Sequence, residues 1–275
     1  MDIEFWGVRG TMPVSGKDTQ KYGGRTPCAS VISAAGDIVI IDAGTGIKGL
    51  GESLMARQDS GNLRLHLLLT HFHLDHIMGL PFFAPLYAAG SEITFYSSLA
   101  SRDTENQLRG LMSGRYFPVD LRETASRKTY TKVGEETITI GKLEISGCPL
   151  NHPQGSLGYK IADRSGSIVF ATDTEPPEDG LDERLAGFIP GAAFFVCDAT
   201  FTPEEYKVRQ GWGHSTWLDG TRLARRTGVS NLLLSHLNPD HADAQIDELV
   251  GLARREFPGT RAAREGLCLT TLPSS

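Results

Sequence analysis

Between residues 71 and 76 the chain reads His71-Phe72-His73-Leu74-Asp75-His76, directly behind the nearly continuous apolar stretch Arg64 to Thr70. A run of that kind reads as a strand with both faces covered. Four metal-competent side chains, His71, His73, Asp75 and His76, are therefore expected on one tight loop at a strand end. Neutral imidazole and carboxylate are ligands that Zn²⁺ prefers. On such a loop His71 and His73 can converge on one ion while Asp75 and His76 turn to a second. A lone histidine is usually a core or surface residue, but three with an aspartate at this spacing have little structural explanation.

A site for two ions needs more ligands than one loop supplies, and the rest of the chain offers them at strand ends. Asn151-His152 follows the apolar run Leu143 to Leu150, Asp173 follows Ile168 to Thr172, and His236 follows Leu232 to Ser235. Loops at the ends of a rigid scaffold are where function concentrates. As a carboxylate, Asp173 can bridge two ions.

The remaining pattern is an alternation of strands and helices. Cys28 to Ser33 and Ile38 to Asp42 read as a hairpin around Ala35-Gly36-Asp37. Further strands are expected over 93–97, 129–133, 136–140, 143–150, 156–163, 167–172, 194–197 and 231–235. Helices are expected over 47–55, 103–112, 216–227 and 243–257. The last of these has Ile246, Leu249, Val250 and Ala253 on one face and is stopped by Pro258-Gly259. No repeat, linker or composition break divides the 275 residues. The expectation is one α/β domain over residues 1–275, two packed sheets with helices outside.

Composition narrows the function classes. With 27 basic and 33 acidic residues the net charge is −6, which argues against holding nucleic acid on a broad basic face. A small anionic substrate held locally remains compatible. The four cysteines, at 28, 148, 197 and 268, form no CxxC pair, so no local zinc knuckle or redox dithiol is expected. The start, Met1-Asp2-Ile3-Glu4, lacks the features of a signal peptide. No apolar run approaches the roughly 20 residues of a membrane span. The terminal Ser274-Ser275 carries no lipidation signal. A cytoplasmic protein without a membrane partner is expected.

The ligand pattern resembles the metallo-β-lactamase-fold hydrolase superfamily over essentially the whole chain. The resemblance implies a four-layer αβ/βα sandwich and two divalent metal ions, Zn²⁺ or else Mn²⁺ or Fe. His71, His73 and His152 would bind one ion, Asp75, His76 and His236 the other, with Asp173 bridging. Within the superfamily the chain looks most like the branch holding tRNase Z and the cyclic-ribose-phosphate phosphodiesterase of phosphonate breakdown. His152 followed by Gly158-Tyr159, the turn Ala171-Thr172-Asp173-Thr174, and the pair Asp198-Ala199-Thr200 and Gly213-His214-Ser215-Thr216 carry that resemblance. Asp198 replaces the branch's Glu. Residues 153–172 leave no room for a tRNA-grasping arm, and the scattered cysteines exclude an extra cysteine zinc site. The stretches Phe5 to Thr11, Tyr22 to Thr26, Asp240-His241 and Ala263 to Gly266 look like a bacterial subgroup of poorly defined substrate.

As chemistry, two ions about 3.5–4 Å apart can hold and acidify a water, giving a hydroxide for in-line attack on phosphorus. His214 is the expected proton donor to the leaving alkoxide, with Asp198 orienting it. Asp75 can help orient the water. The leading expectation is a metal-dependent phosphodiesterase on a small phosphodiester such as a cyclic nucleotide or ribose cyclic phosphate. Hydrolysis of a carboxylic ester, lactone or thioester is the alternative, and a non-catalytic metal-binding sensor a third. His66 reads as a sheet histidine and His241 as a surface residue. Arg9 and Arg25 read as solvated turn residues, with phosphate contact the alternative. Arg115 to Phe117 reads as a packing loop or a lid. Met78 to Tyr87, if exposed, is a homodimer patch; otherwise it is a helix packed on the sheet.

Overall fold

The computed structural model describes residues 1–56, 62–178 and 180–271. Ser274 and Ser275, on which the lipidation expectation rests, lie outside the described residues.

Among the described residues fourteen strands form two sheets of seven. The first holds β1 (Asp2–Gly7), β2 (Cys28–Ile32), β3 (Ile38–Ile41), β4 (Arg64–Leu68), β5 (Glu92–Ser97) and β6 (Arg127–Lys132), with β14 (Cys268–Thr270) beside β1. The second runs in the order β13 (Thr260–Ala262), β12 (Leu232–Ser235), β11 (Phe194–Asp198), β10 (Gly166–Ala171), β9 (Ser156–Asp163), β8 (Leu143–Leu150), β7 (Ile138–Ile140). Both sheets have one pairing plan. From β14 the first has three antiparallel pairings and then three parallel ones. From β7 the second does the same. By this plan β3 corresponds to β10 and β4 to β11.

Strand chemistry explains the layering. Successive residues of a strand face opposite sides, and all four of Ile38–Ile41 are buried. Val39 and Ile41 join the cluster between the sheets, with Ile161, Val169 and Phe195 from the second sheet. Ile38 and Ile40 face the other way, into a cluster with Leu50 and Leu54 of helix α1 (Ile47–Met55). The same packing continues through Phe83 and Leu86. The other helices are α2 (Leu74–Ile77), α3 (Ser101–Leu111), α4 (Glu183–Phe188), α5 (Pro203–Tyr206), α6 (Trp217–Thr227) and α7 (Asp243–Glu256). The layers are helix, sheet, sheet, helix: the αβ/βα sandwich. No helix among the described residues is long and apolar enough to cross a membrane.

Some expectations shift. The expected strand 64–70 ends at Leu68, because the Thr70 N–H donates to Asp42 Oδ1 at 2.8 Å and turns the chain out of the ladder. Thr216 lies outside α6 as its N-cap, its hydroxyl accepting from the Asp219 N–H. Residues 80–87 form two 3-10 turns (Leu80–Phe82 and Ala84–Tyr87), not a helix.

Candidate metal centre

Every side chain of the centre leaves from the end of a strand or the turn behind it. His71 and His73 follow β4, and α2 carries Asp75 and His76. His152 follows β8, Asp173 follows β10, Asp198 is the last residue of β11, and His236 follows β12. The sheets thus deliver their ends to one cleft. The turns are tight enough that Asp42, Asp173 and His236 take left-handed backbone, with φ of 58°, 58° and 54°. Asp42 and Asp173 stand in equivalent places, just past β3 and β10. Close packing reaches the backbone too: a Cβ on Gly10 would lie 2.3 Å from the His236 ring.

The structure brings all seven expected ligands together. One donor atom from each of His71, His73 and His152 can lie within 4.8 Å of the others, and the same holds for Asp75, His76 and His236. Asp173 spans the gap: Oδ2 is 3.2 Å from His76 Nε2, and Oδ1 is 3.2 Å from His236 Nε2 and 3.9 Å from His71 Nε2. Asp75 Oδ2 lies 3.2 Å from His236 Nε2 and accepts the Thr11 N–H at 2.8 Å.

The outer nitrogens are held by the chain. His152 Nδ1 donates to the Gly213 carbonyl at 2.9 Å, and His236 Nδ1 pairs with Thr200 Oγ1 at 2.9 Å. His76 Nδ1 meets Asp42 Oδ2 at 2.8 Å. Such partners fix the ring orientation of a metal-binding histidine. Asp42 is a residue of the cluster that sequence reading missed. Its signal was a carboxylate closing an apolar strand, as at Asp173.

The electrostatics fit a cation. Burial pushes His71 down to about 2 and also lowers His152, which favours the neutral imidazole that a cation requires. Burial would lower His76 and His236 too, but the carboxylates outweigh it. Asp173, Asp42 and Asp75 raise His76, and Asp173, Asp75 and Asp198 carry His236 up to about 9. Burial opposes the charge on Asp75 and Asp173, yet the imidazoles hold both well below the usual carboxylate range. His71 Nε2 and Asp173 Oδ2 are buried and make no hydrogen bond, where buried polar atoms as a rule do. Donor type, charge and orphaned atoms all fit divalent cations in this cleft.

His214 stands at the rim. Its Nδ1 is 2.9 Å from Asp198 Oδ2, and its ring stacks on His236 with centroids 4.9 Å apart. Asp198 is buried and accepts the Asp173 N–H at 2.9 Å, the Thr200 N–H at 3.0 Å and the Ser215 N–H at 3.2 Å. His214 also lies at coordinating distance from Asp173, Asp198 and His236, so position alone does not set it apart from the ligands.

Other residues fall outside the centre. His66 pairs with the Tyr96 hydroxyl at 3.0 Å, as a sheet histidine should. The surface reading of His241 is corrected: it is buried, 3% exposed, and pairs with Glu205 at 2.9 Å, because Arg9 draws its turn inward. Arg9 is not solvated either. It is fully buried and donates to the carbonyls of Gly23, Asn238 and His241. Arg25 is half exposed and faces Glu265. Phe117 packs edge-on against Phe82.

Fold and donor set together define a metal-dependent hydrolase. The chain belongs to the beta-lactamase superfamily, whose domain model matches residues 38–260. Ribonuclease Z of Bradyrhizobium diazoefficiens is 24% identical, covering 86% of this chain and 91% of that protein. The metallo-beta-lactamase fold protein YhfI of Bacillus subtilis has the same fold, with a TM-score of 0.73 at 19% identity over 98% of both chains. A diphosphatase of the PhnP family gives 0.69 at 19% identity over 99% of both.

Proposed function

We propose that the chain is a phosphodiesterase acting on a small phosphodiester such as a cyclic nucleotide or a ribose cyclic phosphate. The observation that carries the reading is the His214–Asp198 pair, 2.9 Å apart, beside the ligand cluster. Two divalent ions, zinc in this reading, would be held by His71, His73 and His152 and by Asp75, His76 and His236, with Asp173 between them. Bound there, they supply Lewis acidity toward a phosphoryl oxygen and toward water. Asp75, pinned by the Thr11 N–H, orients the attacking water. Asp198 holds Nδ1 of His214 and fixes the ring, so that Nε2 carries the proton to the leaving alkoxide.

Small size is supported by the segment between His152 and Asp173, which is taken up by the β9–β10 hairpin. The net charge of −6 supports it as well. The relative named ribonuclease Z supports phosphorus over carbon as the electrophile. The contribution of both sheets to one cleft supports reading residues 1–275 as one hydrolase domain.

Turnover of bis-p-nitrophenyl phosphate by the purified protein, with none of a lactone or a thioester and with two ions per chain by elemental analysis, is the expected result. Lactone or thioester turnover alone overturns the phosphodiesterase reading. Asp198→Asn should lower turnover of a poor-leaving-group diester about 100-fold or more while metal content holds. Equal loss of metal and activity removes the role given to Asp198. We also read the chain as a cytoplasmic homodimer docked through the half-exposed Phe82 and Tyr87. A monomer mass in sedimentation ends the dimer part of that reading.

A further inference from the structure

Glu175 is a buried carboxylate that the chemistry above does not use, 8% exposed and two residues beyond Asp173. Both its oxygens are turned to one segment. Oε1 accepts the Tyr206 hydroxyl at 2.8 Å and the Gly211 N–H at 2.7 Å, and Oε2 accepts the Gly213 N–H at 2.8 Å. Its backbone is tied to a second segment: the Glu175 N–H donates to the Asn151 carbonyl at 2.8 Å, and Asn151 Nδ2 donates back to the Glu175 carbonyl at 3.1 Å. One residue therefore joins the loop of His152, the loop of Asp173 and the loop of His214.

The junction lies one bond away from both histidines. Gly213, whose N–H Glu175 accepts, offers its carbonyl to His152 Nδ1 and is followed directly by His214. Gly213 has φ +83°, and a Cβ there would lie 2.2 Å from His152 Nδ1, so this peptide has no slack against the ring. A carboxylate accepting three hydrogen bonds, two from backbone N–H groups of a glycine-containing loop, restrains a segment that would otherwise sample many conformations.

We infer that Glu175 is a positioning residue: through the Gly211–Gly213 segment it sets the place of His214 relative to the leaving group. The inference rests on His214 as proton donor. It follows that loosening Glu175 should impair proton delivery more than attack on phosphorus. Leaving groups separate the two, because a p-nitrophenolate departs without a proton and a more basic phenolate does not.

The test is a leaving-group series of methyl aryl phosphates, from p-nitrophenyl to phenyl, with metal content measured on each protein. His214→Ala should lose about tenfold or more additional kcat on the phenyl ester than on the p-nitrophenyl ester. Glu175→Gln, which faces an amide NH₂ against N–H donors, should reproduce that steepening at near-constant KM with metal retained. Tyr206→Phe, which removes one of the three bonds, should shift the slope the same way by less and carries the test if Glu175→Gln fails to fold or to hold metal. A steep series for His214→Ala with a flat one for the Glu175 and Tyr206 variants overturns the positioning role alone. A flat series for His214→Ala overturns the proton-donor reading, and the inference with it.

Discussion

The positions of greatest backbone strain coincide with the chemistry. Among the described residues four non-glycine residues have positive φ, and Asp42, Asp173 and His236 are three of them. Such conformations cost of order 1–3 kcal/mol each and persist where the surroundings over-determine them. Here the surroundings are the side chains and turns of the cleft: Asp173 faces His76 and His236, and Asp42 faces Thr70 and His76. Asp42 shows how. It turns Thr70 out of the ladder with one oxygen and orients His76 with the other. Asp42→Asn tolerates the left-handed backbone but removes the charge facing His76. Metal affinity in a chelator competition should fall about 10–100-fold, and an unchanged affinity would show that His76 needs no anionic partner. The convergence of the histidines and Asp173 on one cleft was legible because metal-competent side chains behind apolar runs are rare by chance. Asp42 was not, because it touches His76, 34 residues away, a relation that spacing does not display. His241 and Arg9 were misread for a related reason. Both look like turn residues, and only the packing of distant segments buries them.

At the level of elements, the helix behind the His214 loop has its ends chemically marked. Thr216 and Asp219 form a reciprocal capping box at the start of α6, and Gly228 closes it in left-handed backbone, φ +69°. Thr216→Ala should lower stability by about 1 kcal/mol, read as a lower denaturant midpoint at unchanged slope. No change would mean that packing of Trp217 and Leu223 holds the helix without its cap. Long periodic elements such as α1, β8, β9 and α7 were readable from the sequence almost to the residue. The three-residue strands β13 and β14 were not, since so few residues carry no period, and neither were α4 and α5. The strand 136–140 shrank to Ile138–Ile140 because its first residues are polar and exposed.

Over the whole molecule, the layered α/β class was legible from alternation and from continuous buried runs. The shared pairing plan of the sheets was not, because it lives in topology: Asp42 and Asp173 occupy matching turns without any sequence repeat to announce them. The two sheets meet through apolar side chains alone over much of their area, as where the ring of Phe5 in β1 rests 6.2 Å from that of Phe170 in β10. His71, His73, Asp75 and His76 ride on one sheet, and His152, Asp173 and His236 on the other. The hydrocarbon layer therefore acts as a spacer gauge between the two sets of donor side chains above it. Methylene groups added or removed deep in that layer would reset the distance between the two ligand halves without touching a single donor atom.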